Sequence, residues 1–150
     1  MEKGLEVKSF RDVNEELKGE DLRMMSPLQL AYIGDAVFEL LVRTAIMSRD
    51  VNVNKLHKEA TRYVKANAQA ESVIKLDELL TDEEKSFIRR GRNARINSSP
   101  KNVDLRDYKY ATGFECLMGY LYLSGKDERL MELFRHIYQS DTERGATNEG

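Results

Sequence analysis

Apolar residues recur along this chain at the three-to-four-residue spacing of amphipathic helices, and no alternating run is long enough for a strand. Residues 1–20 are polar and weakly periodic, which predicts a loose arm. Residues 21–48 predict one or two helices, with Pro27 suited to a first helical turn, where its missing N–H costs nothing. Asn54 is placed to cap the next helix, with Leu56, Ala60, Tyr63, Val64 and Asn67 at helical spacing. Val73, Ile74, Leu76, Leu79 and Leu80 predict a helix over 69–80. Thr81 and Glu84 form a T-x-x-E capping box, which starts a helix that Gly91 is expected to end. Residues 91–103, rich in Asn, Ser, Gly and Pro, predict a loop. A long helix follows over 104–123, stopped by Ser124-Gly125, and a last one over 127–139. The pattern therefore predicts one all-α domain over 21–139, between a polar arm (1–20) and a disordered tail (140–150).

Composition narrows the setting. A chain of 150 residues has the length of one domain. With 41% apolar and 33% charged residues it reads as a globular protein with a busy surface. The net charge of −2 selects no partner class, so the distribution of charge matters more than its sum. The single cysteine, Cys116, makes no intramolecular disulfide and sits in an apolar helix. That predicts a small buried hydrophobe in a reducing compartment. Residues 1–23 are charged and lack the apolar core of a signal peptide, and no apolar run is long enough to span a bilayer. The expected location is cytoplasmic, with no membrane partner.

Two acids break the apolar pattern. From Pro27 to Met47, 14 of 21 residues are apolar, yet Asp35 stands in their midst. Glu115 is the only charged residue in FECLMGYLYL. A buried carboxylate costs several kcal/mol unless a cation or hydrogen-bond donor meets it. Asp35, Glu39 and Arg43 recur every four residues and form one stripe, which either faces water, with Glu39 paired to Arg43, or brings Asp35 to a site. Gly34 costs roughly 1 kcal/mol relative to Ala in a helix interior, so a close approach by another helix or a ligand must require it. Ala111 and Gly119 bracket Glu115 on its own face. That predicts either a tight helix seam with Glu115 paired to a base, or a carboxylate facing another across a metal. Two hard oxygen donors suit Mg²⁺, which keeps several waters and activates one of them.

Positive charge is concentrated elsewhere. Residues 85–101 carry six Lys or Arg and no acid, which leaves −2 − 6 = −8 on the rest of the chain. Arg89 and Arg90 complement a helix C-terminus, but that does not account for Arg92, Arg95 and Lys101. Arg90, Arg92, Asn93, Arg95, Lys101 and Asn102 are the candidate phosphate contacts. The loop over 91–103 has no aromatic on which bases could stack, which favours a duplex over a single strand.

These residues carry a family resemblance. AYIGDAVFELLVR resembles the signature segment of ribonuclease III catalytic domains, roughly LGDAVL, and ATGFECLMGYLYLSG resembles their second acidic segment, roughly FEALIGAIYLD. NKLHKEATRYVKANAQA resembles the middle helix of that family. RRGRNAR followed by PKN resembles its short branch, Mini-ribonuclease III, which has no double-stranded-RNA-binding domain. Together these segments span residues 22–139.

The resemblance implies an all-α, homodimeric ribonuclease III endonuclease-domain fold with the signature helix in the dimer seam. It implies Mg²⁺-dependent cleavage of double-stranded RNA, with Mn²⁺ able to substitute, leaving 5′-phosphate ends. The branch is associated with maturation of the large-subunit (23S) ribosomal RNA precursor, and a ribosomal-protein helper is a plausible partner. Asp35 and Glu115 become the catalytic and metal-binding residues. The wider family has an acid four residues before Asp35 and another three before Glu115, where Ala31 and Thr112 stand here. That implies fewer protein ligands and more water or phosphate oxygens, with Glu39 one turn beyond Asp35 spaced for an outer contact through water. The two missing acids also leave open a non-catalytic RNA-binding or ribosome-assembly module that retains the fold. A helical interaction protein whose acids are merely paired in a seam is a third reading.

Overall fold

The computed structural model describes residues 8–17, 20–96 and 98–148, with side chains up to residue 140. Six helices form the fold: α1 (Pro27–Ile46), α2 (Val53–Val64), α3 (Ala66–Leu76), α4 (Asp82–Arg92), α5 (Leu105–Leu123) and α6 (Asp127–Asn148). Short 3-10 turns at Phe10–Val13, Leu22–Met24 and Asp77–Leu79 join or precede them. No strand occurs among the described residues, as the periodicity predicts.

The layout follows from where apolar residues sit on each helix. From Ala111 to Leu121, every residue of α5 except Glu115 is buried. A helix apolar on nearly all sides belongs at the centre of a bundle. Helices α1, α3, α4 and α6 pack against it, α1 and α4 most extensively, and α2 packs on α1 and α3. The buried face of α1 is Leu30, Ala31, Gly34, Phe38 and Val42. Phe38 meets Phe114 edge to face, with ring centroids 4.9 Å apart.

Two glycine pairs set how closely α5 is approached. A Cβ on Gly34 would overlap the Glu115 carbonyl oxygen and come within 2.7 Å of the Gly119 amide nitrogen. A Cβ on Gly119 would in turn overlap the Leu30 carbonyl. The α1 and α5 backbones therefore touch, and another helix is the close neighbour that Gly34 requires. On the other side, a Cβ on Gly91 would lie 2.7 Å from the Gly113 Cα.

Several boundaries differ from those the sequence pattern predicts. Asn52, not Asn54, caps α2, accepting from the Lys55 amide at 2.9 Å. The periodicity from Leu56 to Asn67 is divided at Lys65, whose extended backbone (ψ 154) separates α2 from α3. Ile74 is exposed because it falls off the buried face of α3 formed by Gln69, Ser72, Val73 and Leu76, and Leu79 because a 3-10 turn follows Leu76 and resets the face. Gly91 does not end α4. It lies inside the helix as a packing residue, and Asn93 is the C-cap. The arm is held at Arg11, which donates to the Tyr122 carbonyl at 2.9 Å and pairs with Asp127; residues 1–7 and 18–19 lie outside the described residues. The helix at 127 continues to Asn148, across most of the expected tail, since no proline interrupts it; residues 149–150 are not described.

The capping box at Thr81 is part of a larger network. Thr81 and Glu84 exchange hydrogen bonds of 3.1 and 2.9 Å. Glu84 is buried and also receives the Arg129 guanidinium as a fork, two bonds of 2.8 Å each. Burial opposes the Glu84 carboxylate, but the Arg129 fork and the Thr81 amide outweigh it and hold its pKa below the usual value.

Two stability tests follow. Gly34→Ala should destabilise the fold by about 1–3 kcal/mol or more despite the better helix propensity of Ala, because the new methyl meets backbone that cannot rotate away; a lower melting temperature in thermal unfolding checks this. Arg129→Met should cost on the order of 2 kcal/mol near pH 7, the loss of charge-assisted bonds to a buried group. The folded pKa of Glu84 is lowered, so the stabilisation is complete above the ordinary Glu range and fades as pH falls through the folded value. The difference between wild type and variant should therefore shrink in acid, as denaturant melts from pH 7 to pH 3 would register.

Candidate active site

The touching backbones of α1 and α5 put the two anomalous acids together. Asp35 follows Gly34, and Glu115 supplies the carbonyl against which Gly34 packs. Their carboxyl groups are close enough to share a hydrogen bond. Glu115 is half-buried, and its pKa is pushed up to about 9, first by burial, then by the charge of Asp35 and the shared hydrogen bond. No basic group contributes to that shift.

Asp35 itself is exposed, which corrects the expectation of a buried acid there. The core-facing stripe of α1 passes through Gly34 and Phe38, and Asp35 sits at its edge. The cost of removing an acid from water falls on Glu115 instead. The pair thus has a closed side, formed by α5, and an open side facing solvent.

Glu39 accepts from Arg43 at 2.8 Å, the paired arrangement expected of a water-facing stripe. Ala31 is buried against the core, and the Thr112 hydroxyl donates to the Tyr108 carbonyl at 2.9 Å, so neither position adds a carboxylate. Among the described residues no cluster of three or more Asp, Glu, His or Cys is arranged to hold a metal. Two carboxylates with no offsetting base are nonetheless a suitable donor pair for a hard divalent ion. It would relieve their repulsion, with water or substrate oxygens completing the shell.

The basic residues divide by role. The Arg90 guanidinium is already occupied: it donates to the Arg23 and Met25 carbonyls at 2.8 and 3.0 Å and lies over the Phe87 ring. It secures the chain leading into α1, whose Ser26 N-cap makes no side-chain capping bond. Arg92 donates to the Tyr110 hydroxyl at 3.2 Å. Asn93, Arg95, Lys101 and Asn102 are exposed on the turn and loop after α4. Asn102 is in the left-handed region (φ 71), which Asn tolerates better than most residues. Cys116 is buried, with its thiol pKa pushed up to about 11 by that burial, so it is a packing residue and no nucleophile.

Sequence reasoning missed Tyr110 and its second arginine. The Arg92 and Arg106 guanidiniums lie 5.3 and 5.5 Å from the Tyr110 ring centroid. The signal was present as Arg106 and Tyr110 one helical turn apart. His57 lines an apolar groove with Arg43, Ile46 and Met47, and Lys65 and Asn67 line a cleft with Arg62 and Glu71.

Comparison with known proteins identifies the family. The family model for the ribonuclease III domain matches residues 28–126, which include both acids. Mini-ribonuclease 3 of Thermoanaerobacter sp. (strain X514) is 51% identical over 134 residues, covering 89% of this chain and 93% of the relative. Mini-ribonuclease 3 of Clostridium tetani is 44% identical over 143 residues, covering 92% of this chain and 95% of the relative. The crystal structure of a Fusobacterium nucleatum protein superposes with a TM-score of 0.74 at 30% identity, covering 81% of this chain and 98% of that one. Ribonuclease III enzymes generally depend on divalent metal and act on double-stranded RNA. With both acid segments inside the matched region, the chain belongs to the ribonuclease III family of endoribonucleases.

Proposed function

We propose that this protein hydrolyses phosphodiester bonds of double-stranded RNA at the Asp35–Glu115 pair, with Mg²⁺ as the working ion. The observation that carries this reading is the pairing itself: two carboxyl groups side by side, one half-buried, with no base to offset them. Structural acids in a seam are ordinarily paired with cations. When bound, the ion supplies a nucleophilic water and stabilises charge on the leaving 3′-oxygen.

The protein's own residues do the rest. Glu115 anchors the closed side of the site from the rigid centre of the bundle. Asp35 presents its carboxylate on the open side, where a backbone phosphate has access. Arg95 and Lys101, exposed on the loop after α4, contact phosphates and set register without reading sequence, with Asn93 and Asn102 beside them. Arg90 instead positions the start of α1. Duplex RNA is recognised through A-form shape and 2′-hydroxyls.

The same reading assigns the outer face of α1 to a homodimer seam. Leu28, Tyr32 and Leu40 are exposed there, with Tyr32 84% accessible. A helix with apolar residues on both faces needs a partner on the second. The natural substrate we assign is a large-subunit ribosomal RNA precursor in the cytoplasm, with a ribosomal protein as helper. No helix among the described residues is long and apolar enough to cross a membrane.

Asp35→Asn should reduce Mg²⁺-dependent cleavage of duplex RNA by at least about 10³-fold while the melting temperature stays near wild type, because the residue is exposed. Mg²⁺ should raise the melting temperature of the wild type but not of Asp35→Asn or Glu115→Gln. Wild-type-like cutting by Asp35→Asn removes the assignment; RNA binding by wild type with no Mg²⁺-dependent cutting makes the protein a binding module. Arg95→Ala with Lys101→Ala should weaken duplex binding and reduce the slope of log K against log salt by about 2. Arg90→Ala should instead lower the melting temperature and leave that slope unchanged. Tyr32→Glu should shift the protein from dimer to monomer in sedimentation velocity.

A further inference from the structure

A groove of about 660 Å³ runs between α3, α4 and α5, apart from the acid pair. Tyr110 and Arg106 precede Glu115 on α5 by five and nine residues, so they face about 140° and 180° away from it around the helix. Whatever occupies this groove is not the scissile phosphate.

Its walls differ in chemistry. Arg89, Arg92 and Tyr110 line it, and Arg106, next to the lining, lies over the same Tyr110 ring; none of the three arginines forms an ion pair among the described residues. Arg89 is exposed, and Arg92 and Arg106 are held over the Tyr110 ring. Arginines near one another without carboxylates make an anion site, and their planar forks match phosphate. The floor is apolar, with Val73, Ile88 and the exposed Ile74. Elsewhere the groove is lined by the carboxylates of Asp77 and Glu78 together with Lys75 and Lys85, the Lys85 ammonium lying 3.9 Å from Asp77.

We propose that this groove is a second RNA site, which takes one unpaired nucleotide next to the duplex being cut. Its phosphate lies on the arginines, its base lies over Ile74 and Ile88, and Asp77 and Glu78 accept hydrogen bonds from exocyclic amino groups. A paired base cannot enter, because its face is stacked and its edge is used. A splayed-out base offers both, and this is the form in which proteins read RNA sequence. A carboxylate accepts from the amino group of cytosine or adenine, whereas uracil offers none. An acidic protein segment would also satisfy the arginines, but its carboxylates would have no amino group to donate to Asp77 and Glu78. The site rests on the nuclease reading above and extends its substrate to a duplex interrupted by an unpaired residue.

The test compares a perfect RNA duplex with a series in which one unpaired adenosine, cytidine or uridine is tiled along either strand. Equilibrium binding is read by fluorescence anisotropy without Mg²⁺, and cleavage is read with it. For the wild type, adenosine or cytidine at one or two positions should tighten binding by at least about fivefold, the scale of one base contact, and uridine should not. Arg89→Ala with Arg106→Ala should remove that gain while binding and cutting the perfect duplex as wild type does. Asp77→Asn with Glu78→Gln should erase the preference over uridine. The proposal is overturned if no position tightens binding, if the arginine variant keeps the gain, or if that variant weakens binding to the perfect duplex by the same factor. Cleavage without any gain removes the groove and leaves the nuclease; a gain without Mg²⁺-dependent cleavage removes the nuclease and leaves the groove.

Discussion

The structure depends on one close contact, the backbone of α1 against the backbone of α5 at Gly34 and Gly119. Glycine weakens a helix by roughly 1 kcal/mol relative to Ala, and here two helices accept that cost at their crossing. In return the helix axes approach closely enough for Phe38 to reach Phe114 in the centre of the bundle. The same approach determines which acids meet. A wider crossing would separate Asp35 from Glu115 and allow water between them. Packing and chemistry are therefore set by a single geometric constraint.

That constraint places an electrostatic conflict in the fold. Glu115 is half-buried beside another acid, and both facts oppose its ionised form. Glu84 shows how this chain treats a structural acid, with a two-bond arginine fork, a helix-cap amide and burial in one network. Glu115 receives no such partner. Sequences commonly depart from local consistency where function requires it, and the contrast between these two glutamates is such a departure. The exposed position of Asp35 completes the logic: a site that must admit a phosphate and a hydrated ion cannot be closed on both sides.

Much of this was legible in the sequence, for identifiable reasons. Helical periodicity and the Thr81 capping box depend on neighbours within a turn, so α4 and α5 were readable locally. The two acids were visible because α5 is apolar on nearly every side. What misled was the assumption that an acid in an apolar stretch is buried. α1 has apolar residues on two faces, one toward α5 and one exposed, and composition alone cannot tell them apart. Gly91 was read as a stop because glycine ends many helices; its actual role depends on Gly113, a partner 22 positions later that only the folded chain reveals. Asn52 and Asn54 both had capping chemistry, and the choice between them depends on where α2 packs.

The basic segment shows the same limit in its sharpest form. As a string, residues 85–101 carry interchangeable positive charge. In the fold, Arg90 is bound to two carbonyls before α1, Arg92 rests on a tyrosine from another helix, and Arg95 stays exposed on a loop. Salt dependence counts phosphate contacts, so these arginines are physically distinct even though the sequence places them within six positions. A guanidinium that already satisfies backbone acceptors has little left to exchange for a phosphate. One held over an aromatic ring has already lost much of its rotamer freedom, and binding a phosphate then costs less entropy. Phosphate affinity in this protein is therefore concentrated in the arginines whose partners leave donors open.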